Sequence, residues 1–383
     1  MHFLILFFLL ILPAGVDARI SDLEQETILP GLIHHHFVKT TAHGEAIINI
    51  LEIEPTLGYR LKPALASPFS IWERSAITRI ASREGAFAAI NANYFTNAGI
   101  PIGALAIDRE WITGPVLNRA TLSIDSSGRA FFARPRVYGD IQIFTHPEAT
   151  YPEQTIRITS INQPDALDRE GISFYNHWWQ DKILCGAGRA CLLVDGHGMV
   201  RQRIAISDSS QPLYPTRQDY IVSARDDTKL GLVKVGGQLK IKWSSQPDWS
   251  SMSHAVGGGP FLLSKGQIVI NETSEGFTNK SGIGGLAPRT AVGITPDGRI
   301  ILLVADGRQK DSVGLSIREL AELLRDIGVV EAINLDGGGS SSMVINGKIV
   351  NSPSDKEGMR PVSTALLVFK PGFGKSQHYP GGP

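Results

Sequence analysis

The stretch Ile333-Asn334-Leu335-Asp336-Gly337-Gly338-Gly339-Ser340-Ser341-Ser342 joins two apolar segments, Val329–Ile333 and Met343–Ile345. The pattern predicts a strand that leads into a loop of one carboxylate, three glycines and three hydroxyls, followed by a second strand. Glycine lets the backbone adopt conformations closed to other residues and lets a ligand approach its N–H groups. Successive N–H groups of this kind can bind an anion. The loop is therefore a candidate site for an anionic substrate rich in hydroxyl groups.

The structural alternative for this stretch is a glycine-rich hairpin with an ordinary turn aspartate. Two other kinds of site do not fit. The lysine and the spacing of a phosphate-binding P-loop are missing, and the G-x-S-x-G elbow of a serine hydrolase does not occur here. The choice between a turn and a site therefore depends on the rest of the chain.

Three further stretches end an apolar strand with polar or glycine residues, and they are Asn91–Phe95, Val256–Phe261 and Val304–Arg308. Rigid scaffolds place reactive groups on loops where strand ends converge. We therefore expect these loops to meet the Asp336 loop. Asp336 and Asp306 are the best pair of catalytic carboxylates, although Asp306 also fits a plain turn.

Alternation along a strand places Asn334 on the same face as Asp336, which favours a functional role for this amide. Together, the loops supply a set of predicted substrate-binding residues. These are Asn91, Gly258, Gly259, Asn334, Gly337, Gly338, Gly339, Ser340 and Ser341.

The charge balance of the chain excludes whole classes of partner. Lys and Arg number 37, Asp and Glu also number 37, and the formal net charge is zero. Such a chain lacks the basic surface with which proteins bind nucleic acid or an anionic membrane. Its 383 residues allow one large domain or two modest ones.

The amino terminus has the pattern of a signal peptide over residues 1–18. The apolar run Phe3–Leu12 is too short to span a bilayer, and Val16-Asp17-Ala18 resembles a small-residue cleavage site. Because Lys and Arg are missing before the apolar run, a retained anchor is the alternative. We expect no other membrane span and predict export to the periplasm or the extracellular space.

Cys185 and Cys191 are separated by five residues. In an oxidising compartment two such cysteines commonly form a disulfide, which is our prediction for this pair. Zinc binding is disfavoured because no His or Cys partners lie nearby. The run His34–His36 is interpreted as surface or partly buried histidine, since adjacent residues of a strand point to opposite faces.

The coarse pattern predicts an α+β fold, with mixed, strand-dominated sheets and a few packing helices. Ser316 and Glu319 form a capping box before an apolar helical face, and Asn346-Gly347 predicts a hairpin. One domain is predicted over residues 19–370, with a variable, mostly β insertion at about 135–250. The aromatic run Ser173–Trp179 fits core packing better than sugar stacking. Residues 371–383, rich in glycine and proline, are predicted to be disordered.

From about Gly31 to Phe369 the chain resembles the phosphodiester glycosidase family. The resemblance is most specific from Arg289 to Pro361. It rests on R-T-A-V-G, D-G-R, S-x-x-E-L-A-x-L-L and N-L-D-G-G-G-S-S in this order, followed by Asn351–Asp355 and Arg360-Pro361. It implies release of a sugar, N-acetylglucosamine in the type case, from a sugar-1-phosphodiester. It also implies that Asn351 and Arg360 belong to the substrate site.

Residue chemistry fits this implication. Arg289 and Arg308 can bind phosphate oxygens in fork geometry, and Arg289 can equally be a structural ion pair. Asp336 is assigned as nucleophile or base, with Asp306 as acid/base or sugar-orienting group. No cofactor is certain, but Asp306, Asp336 and nearby carbonyls offer oxygen ligands to Ca²⁺ or Mg²⁺.

Two alternatives stay open at this point. One is a non-catalytic glycan-binding protein of the cell envelope, which would not need Asp336. The other is a phosphodiesterase that breaks the P–O bond in place of the C–O bond. The expected partner is a sugar phosphodiester or an envelope glycan.

Overall fold

The computed structural model describes residues 25–144, 150–164, 171–231, 233–278 and 283–372. The predicted signal peptide and all but the first two residues of the predicted disordered tail lie outside these ranges. The predicted domain boundaries stay a prediction.

The elements follow one another in chain order. The amino-terminal elements are β1 (Gln25–Leu29), β2 (Leu32–Thr41), β3 (Gly44–Ile53), β4 (Arg60–Leu65), α1 (Ile77–Glu84), β5 (Ala88–Asn91), β6 (Leu105–Ile107), β7 (Glu110–Thr113), β8 (Thr121–Asp125) and β9 (Ala130–Ala133). The middle elements are β10 (Arg136–Phe144), β11 (Gln154–Ile161), β12 (Ile172–Tyr175), β13 (Ile183–Cys185), β14 (Ala190–Asp195), β15 (Val200–Ile204), β16 (Gln211–Leu213), β17 (Asp219–Ala224) and β18 (Gln238–Gln246). The carboxy-terminal elements are β19 (Met252–Gly257), β20 (Phe261–Ser264), β21 (Gln267–Ile268), β22 (Arg289–Ile294), β23 (Ile300–Ala305), α2 (Ile317–Asp326), β24 (Glu331–Asn334), β25 (Met343–Ile345), β26 (Lys348–Ile349) and β27 (Thr364–Phe369).

Two antiparallel sheets pack face to face and carry the Asp336 loop. The eight-stranded sheet has the order β1-β2-β3-β23-β22-β24-β20-β21, and a five-stranded sheet has the order β26-β25-β5-β27-β4. Leu302 and Ile333 of the first sheet share a buried core with Ile90 and Leu366 of the second. Helix α2 packs on the outer face of the first sheet, and α1 packs on that of the second. The result is a four-layer arrangement of helix, sheet, sheet and helix.

Strand β23 shows why the sequence gives this arrangement. All six of its residues are buried, and they alternate between two cores. Leu302 and Val304 face the second sheet, whereas Ile301 and Leu303 face α2. A strand covered on both faces must be apolar throughout, which explains its continuous hydrophobic run.

Three local predictions are confirmed. The capping box is present, because Ser316 N–H donates to Glu319 Oε2 at 2.8 Å and Glu319 N–H donates to Ser316 Oγ at 3.2 Å. Asn346 and Gly347 both have positive φ and join β25 to β26 as a hairpin. Cys185 and Cys191 form a disulfide with a Cα–Cα distance of 5.7 Å.

The remaining strands form a second five-stranded sheet (β7-β6-β19-β8-β9), a seven-stranded sheet (β15-β14-β17-β12-β11-β10-β18) and the pair β13-β16. With two helices among the described residues, the chain is strand-dominated as predicted, and the α+β class stays a prediction. The histidine run is partly corrected: His35 is fully buried and bonds to Glu52 at 2.9 Å, because it faces inward between His34 and His36.

Candidate active site

Asp336 lies where the chain crosses from the eight-stranded sheet to the sheet of β25. It follows β24, and the turn Gly338–Ser340 leads from it into β25. The N–H of Asp336 donates to the carbonyl of Ala92 at 3.0 Å, and the N–H of Gly338 donates to the carbonyl of Pro288 at 2.8 Å. Since Ala92 follows β5 and Pro288 precedes β22, the loop is tied to both sheets. The carboxyl is therefore held on a rigid support, as a reactive group requires.

Burial raises the pKa of the Asp336 carboxyl to about 6. The Ser340 hydroxyl, the positive charge of Arg360 and the N–H of Gly337 oppose this shift. A carboxyl that titrates near neutral pH can act as a base or as an acid in the range where most enzymes work. Perturbed carboxyls of this kind are concentrated at functional sites.

Asn91 holds the Asp336 loop by hydrogen bonds. Its side chain is fully buried, and its amide nitrogen donates to the carbonyl of Asp336 at 2.5 Å. Its carbonyl oxygen accepts bonds from Thr290 Oγ1 at 2.8 Å and from Ser342 N–H at 3.1 Å. The geometry therefore gives Asn91 a positioning role in place of the predicted substrate contact.

Asp306 is also committed to protein groups. Its buried carboxylate accepts bonds from Asn351 Nδ2 at 2.8 Å and from the N–H of Ser352 at 3.0 Å. Burial raises its pKa, and these two donors oppose the shift. Asn351 in turn donates to the carbonyl of Ser341 at 3.2 Å and accepts from the N–H of Met343 at 2.8 Å. Both predicted site residues thus fasten the Asp336 loop to the end of β23.

Arg289 does not present the phosphate fork that its sequence context predicted. Its Nε donates to the carbonyl of Leu315 at 2.8 Å, and its Nη2 donates to the carbonyls of Ile283 and Gly285. The residue is 3% exposed and makes no ion pair with the described carboxylates. The structural ion pair is therefore also wrong within that part of the chain, because backbone carbonyls occupy the guanidinium.

Two other arginines flank the glycine turn. The Arg308 side chain is exposed, and its guanidinium lies against Gly338, where a Cβ would come within 3.1 Å of Nη1. Arg360 holds Asp355 in a bidentate pair at 2.7 and 2.9 Å, and this pair covers Gly339. A side chain at either glycine would therefore have to displace the charged group that lies against it.

Most N–H groups of the predicted anion nest already donate hydrogen bonds to groups of the protein itself. The N–H of Gly338 donates to Pro288, that of Ser340 donates to Gly337 at 3.3 Å, and that of Gly337 interacts with the Asp336 carboxyl. Ser341 N–H donates to the carbonyl of Gly338 at 3.1 Å. The positive charge at this turn therefore comes mainly from arginine side chains and not from backbone N–H groups.

Asn334, Gly258 and Gly259 form the wall behind Asp336. The Asn334 amide donates to Tyr94 Oη at 2.7 Å and to the carbonyl of Gly259 at 3.0 Å. A Cβ on Gly258 would lie 2.4 Å from the carbonyl oxygen of Asn334. These glycines are needed for close packing of two chain segments, so the structure gives them a supporting role.

Two residues that the sequence analysis did not select lie at this wall. Burial, together with the charge of Asp336, raises the pKa of the Tyr94 phenol. The Arg119 guanidinium lies over the rings of Tyr94 and Phe277, at 5.3 and 4.3 Å from their centroids. Tyr94 was within reach of sequence reasoning because it lies in the Asn91–Phe95 stretch. Nothing in the sequence around Arg119 marks it.

The residues offer little to a metal ion. Among the described ranges, no group of three or more His, Cys, Asp and Glu side chains is placed to hold one. Both oxygens of Asp306 already accept hydrogen bonds from Asn351 and Ser352, which disfavours a Ca²⁺ or Mg²⁺ shared with Asp336. In the same part of the chain, no helix combines the length and the apolar character needed to cross a bilayer.

Comparison with known proteins matches residues 193–369 to the family model of phosphodiester glycosidases. The N-acetylglucosamine-1-phosphodiester alpha-N-acetylglucosaminidase of Mus musculus is 40% identical over 130 residues, and that of Homo sapiens is 37% identical over the same length. Each alignment covers 30% of this chain and 25% of the relative. The matched part thus spans about a quarter of the length of these relatives.

Solved structures support the fold over more of the chain. A hypothetical protein from Synechocystis superposes with a TM-score of 0.79 at 24% identity, over 91% of this chain and 63% of that one. The catalytic domain of the zebrafish alpha-N-acetylglucosaminidase, described as auto-inhibited by its pro-peptide, gives a TM-score of 0.51 at 19% identity over 91% and 86%. The motifs, the matched domain and the shared fold agree: residues 193–369 match the phosphodiester glycosidase family, and the chain as a whole is similar in fold to solved structures that include a catalytic domain of that kind.

Proposed function

We propose that this protein is an exported hydrolase that releases a sugar, with N-acetylglucosamine as the first candidate, from a sugar-1-phosphodiester. The observation that carries the proposal is the Asp336 carboxyl, whose pKa burial raises to about 6, on a turn flanked by Arg308 and Arg360. A carboxyl beside two guanidinium groups suits a substrate that joins a sugar carbon to a charged phosphate.

Arg308 is the best candidate for direct phosphate binding. Its guanidinium is exposed and makes no hydrogen bond with the described residues, so its fork is available to two phosphate oxygens. Arg360 shares its charge with Asp355, and its field already acts on Asp336. Arg289 adds a buried positive charge that backbone carbonyls solvate.

The reaction breaks the bond between the anomeric carbon and the phosphate oxygen, and the phosphomonoester leaves with the electron pair. Oxygen from water ends on the anomeric carbon. Asp336 acts either as the nucleophile that first bonds to this carbon or as the base that takes a proton from water. A phosphomonoester leaves readily, so arginine charge replaces part of the work of a general acid. Asp306 then serves as an orienting group.

Two observations support the remaining parts of the proposal. The Cys185–Cys191 disulfide fits an oxidising compartment and hence export. The N-acetylglucosamine preference draws on the names of the relatives, which match only part of this chain.

The test incubates the purified protein with UDP-N-acetylglucosamine and with an N-acetylglucosamine-1-phospho-methylmannoside, and measures free sugar. We expect release by the native protein and by the matched surface control Asp326→Asn, and none by Asp336→Asn. Equal release by Asp336→Asn would contradict the assignment of the carboxyl. No release by the native protein would remove these two substrates and favour a glycan-binding role.

Hydrolysis in ¹⁸O-labelled water separates the two bond choices. The label enters the sugar if the C–O bond breaks, as proposed, and it enters the phosphate if the P–O bond breaks.

A further inference from the structure

A cleft outside the Asp336 site lies between the β6–β7 hairpin and the seven-stranded sheet. It has a volume of about 450 Å³ and is walled by the aromatic side chains of Trp111, Phe174, Trp243 and Trp249. This volume falls in the usual range of small-ligand sites, about 300–1,000 Å³. A cleft with so many large aromatic walls is suited to a ligand with flat apolar faces.

This cleft is distinct from the Asp336 site. Trp249 precedes β19, whereas Gly258 and Gly259 follow its other end and pack beside Asn334. The two ends of this six-residue strand are roughly 17 Å apart. The two sites are therefore linked by one rigid strand but do not share residues.

The aromatic walls combine exposed surface with an unpaired donor. Trp243 is 43% exposed and packs edge-on against Phe174 at 5.4 Å. Trp249 is 8% exposed and lies 4.9 Å from Trp111 between ring centroids. The indole N–H of Trp249 is buried without a hydrogen-bond partner among the described residues. This N–H is closed to solvent, so the aromatic rings and not this donor form the surface that a ligand would contact.

The polar groups of the cleft define the charge of its ligand. Among the residues that the structure describes, Glu110 and Asp248 line it together with one cation, Arg109. Glu110 is oriented by a 2.8 Å bond from Trp178 Nε1, and Asp248 by bonds from Ser250 N–H at 3.0 Å and Ser250 Oγ at 3.1 Å. Two carboxylates against one guanidinium disfavour an anion and suit a ligand that donates hydrogen bonds.

We propose that this cleft binds a short stretch of neutral glycan. Pyranose rings present C–H faces, which pack on aromatic rings, and hydroxyl edges, which donate to carboxylates. The charge balance of the described walls disfavours phosphate. The cleft would hold one part of a glycan while another part reaches Asp336. The contact with Asp336 rests on the proposed function, whereas binding in the cleft does not.

The test measures binding of neutral tetrasaccharides of N-acetylglucosamine, glucose, mannose and galactose to the intact protein, by tryptophan emission and by calorimetry. We expect at least one to bind and Trp243→Ala to weaken it about tenfold or more, as expected for an aromatic anchor. Asp336→Asn and the exposed control Tyr214→Ala should bind as the native protein does.

Melting curves establish that each variant is folded. The proposal is overturned if no tetrasaccharide binds, or if Trp243→Ala binds as tightly as the native protein. It is also overturned if Asp336→Asn loses binding as fully as Trp243→Ala, because the ligand would then occupy the Asp336 site. If the protein binds a tetrasaccharide but releases no sugar, the proposed hydrolase activity is wrong and the assignment of this cleft as a glycan site still holds.

Discussion

At the scale of single residues, the candidate site depends on what surrounds two carboxylates. Asp336 has the Ser340 hydroxyl, the charge of Arg360 and one backbone N–H nearby, and burial still raises its pKa to about 6. Asp306 is buried too, but Asn351 and Ser352 occupy its oxygens. The two acids are therefore unequal: Asp336 retains the freedom to exchange a proton, and Asp306 is fixed by its donors.

The pH dependence of sugar release follows from the raised pKa of Asp336. A nucleophile or base must be ionised, so kcat/KM should be constant above about pH 7 and fall about tenfold per pH unit below pH 6. The measurement is a pH profile of sugar release with a saturable substrate. Loss of activity as the pH rises through 6 would show that Asp336 works as an acid, and the Asp326→Asn control should reproduce the native profile.

Asp306→Asn separates a positioning role from a catalytic one. The new amide oxygen can still accept from Ser352, but the new amide NH₂ would face the NH₂ of Asn351, and both are donors. We therefore expect a loss of about 1–3 kcal/mol in the free energy of unfolding. We expect kcat to fall about tenfold to a hundredfold, with the acidic limb of the pH profile unmoved. A loss as complete as that of Asp336→Asn, at unchanged stability, would make Asp306 a direct participant.

At the scale of elements, the glycine turn between β24 and β25 is shaped by the side chains that cover it. A Cβ on Gly339 would lie 2.2 Å from both Arg360 Nη2 and Asp355 Oδ1. The Gly339 backbone therefore lies so close to this ion pair that a side chain there would displace it. The pair and the turn must form together, which couples the 351–360 segment to the loop of Asp336.

Gly339→Ala tests this coupling. The added methyl must push apart the Arg360–Asp355 pair, and overpacking of this kind costs about 1–3 kcal/mol. We expect a lower midpoint in urea and at least a tenfold loss of turnover. Gly284→Ala is the matched control, since nothing lies within 4 Å of a Cβ there. Native turnover in Gly339→Ala would mean that the ion pair is not needed for the active geometry.

At the level of the whole chain, the site is built where the backbone crosses from the eight-stranded sheet to the five-stranded sheet of β25, and the seven-stranded sheet contributes none of the site residues. The disulfide belongs to that second region, because Cys185 and Cys191 share a core with Tyr175 and Ile221. Its closed loop is short, with a sequence separation of six. Its effect is therefore expected on local stability and not on the chemistry of Asp336.

The double variant Cys185→Ala, Cys191→Ala tests this separation. Opening a loop of this length should lower the free energy of unfolding by about 2 kcal/mol. Sugar release at 25 °C should stay within about twofold of native, because Asn91, Asp306 and Asp336 are untouched. Urea unfolding and steady-state rates are the two measurements. A large loss of rate without loss of stability would show that the disulfide region reaches the active site.

The sequence alone determined many of the helices, strands and turns of this protein, because these depend on interactions between residues that are close in the chain. The apolar run of β23, the capping box of α2 and the Asn346-Gly347 hairpin follow from interactions between residues a few positions apart. The disulfide also joins near neighbours. The glycine-rich loop pointed to Asp336 because few other roles require a carboxylate before three glycines.

Only the tertiary structure decided which polar residues face a substrate. Asn91 and Asp336 are 245 positions apart, and Asp306 and Asn351 are 45 apart, yet each pair is joined by a hydrogen bond. No local pattern shows whether an amide or a guanidinium will be occupied by distant backbone groups, as Arg289 is. Burial and long-range hydrogen bonding thus occupy several predicted substrate ligands with protein groups, and Asp336 remains the proposed reactive group, with arginine charge beside it.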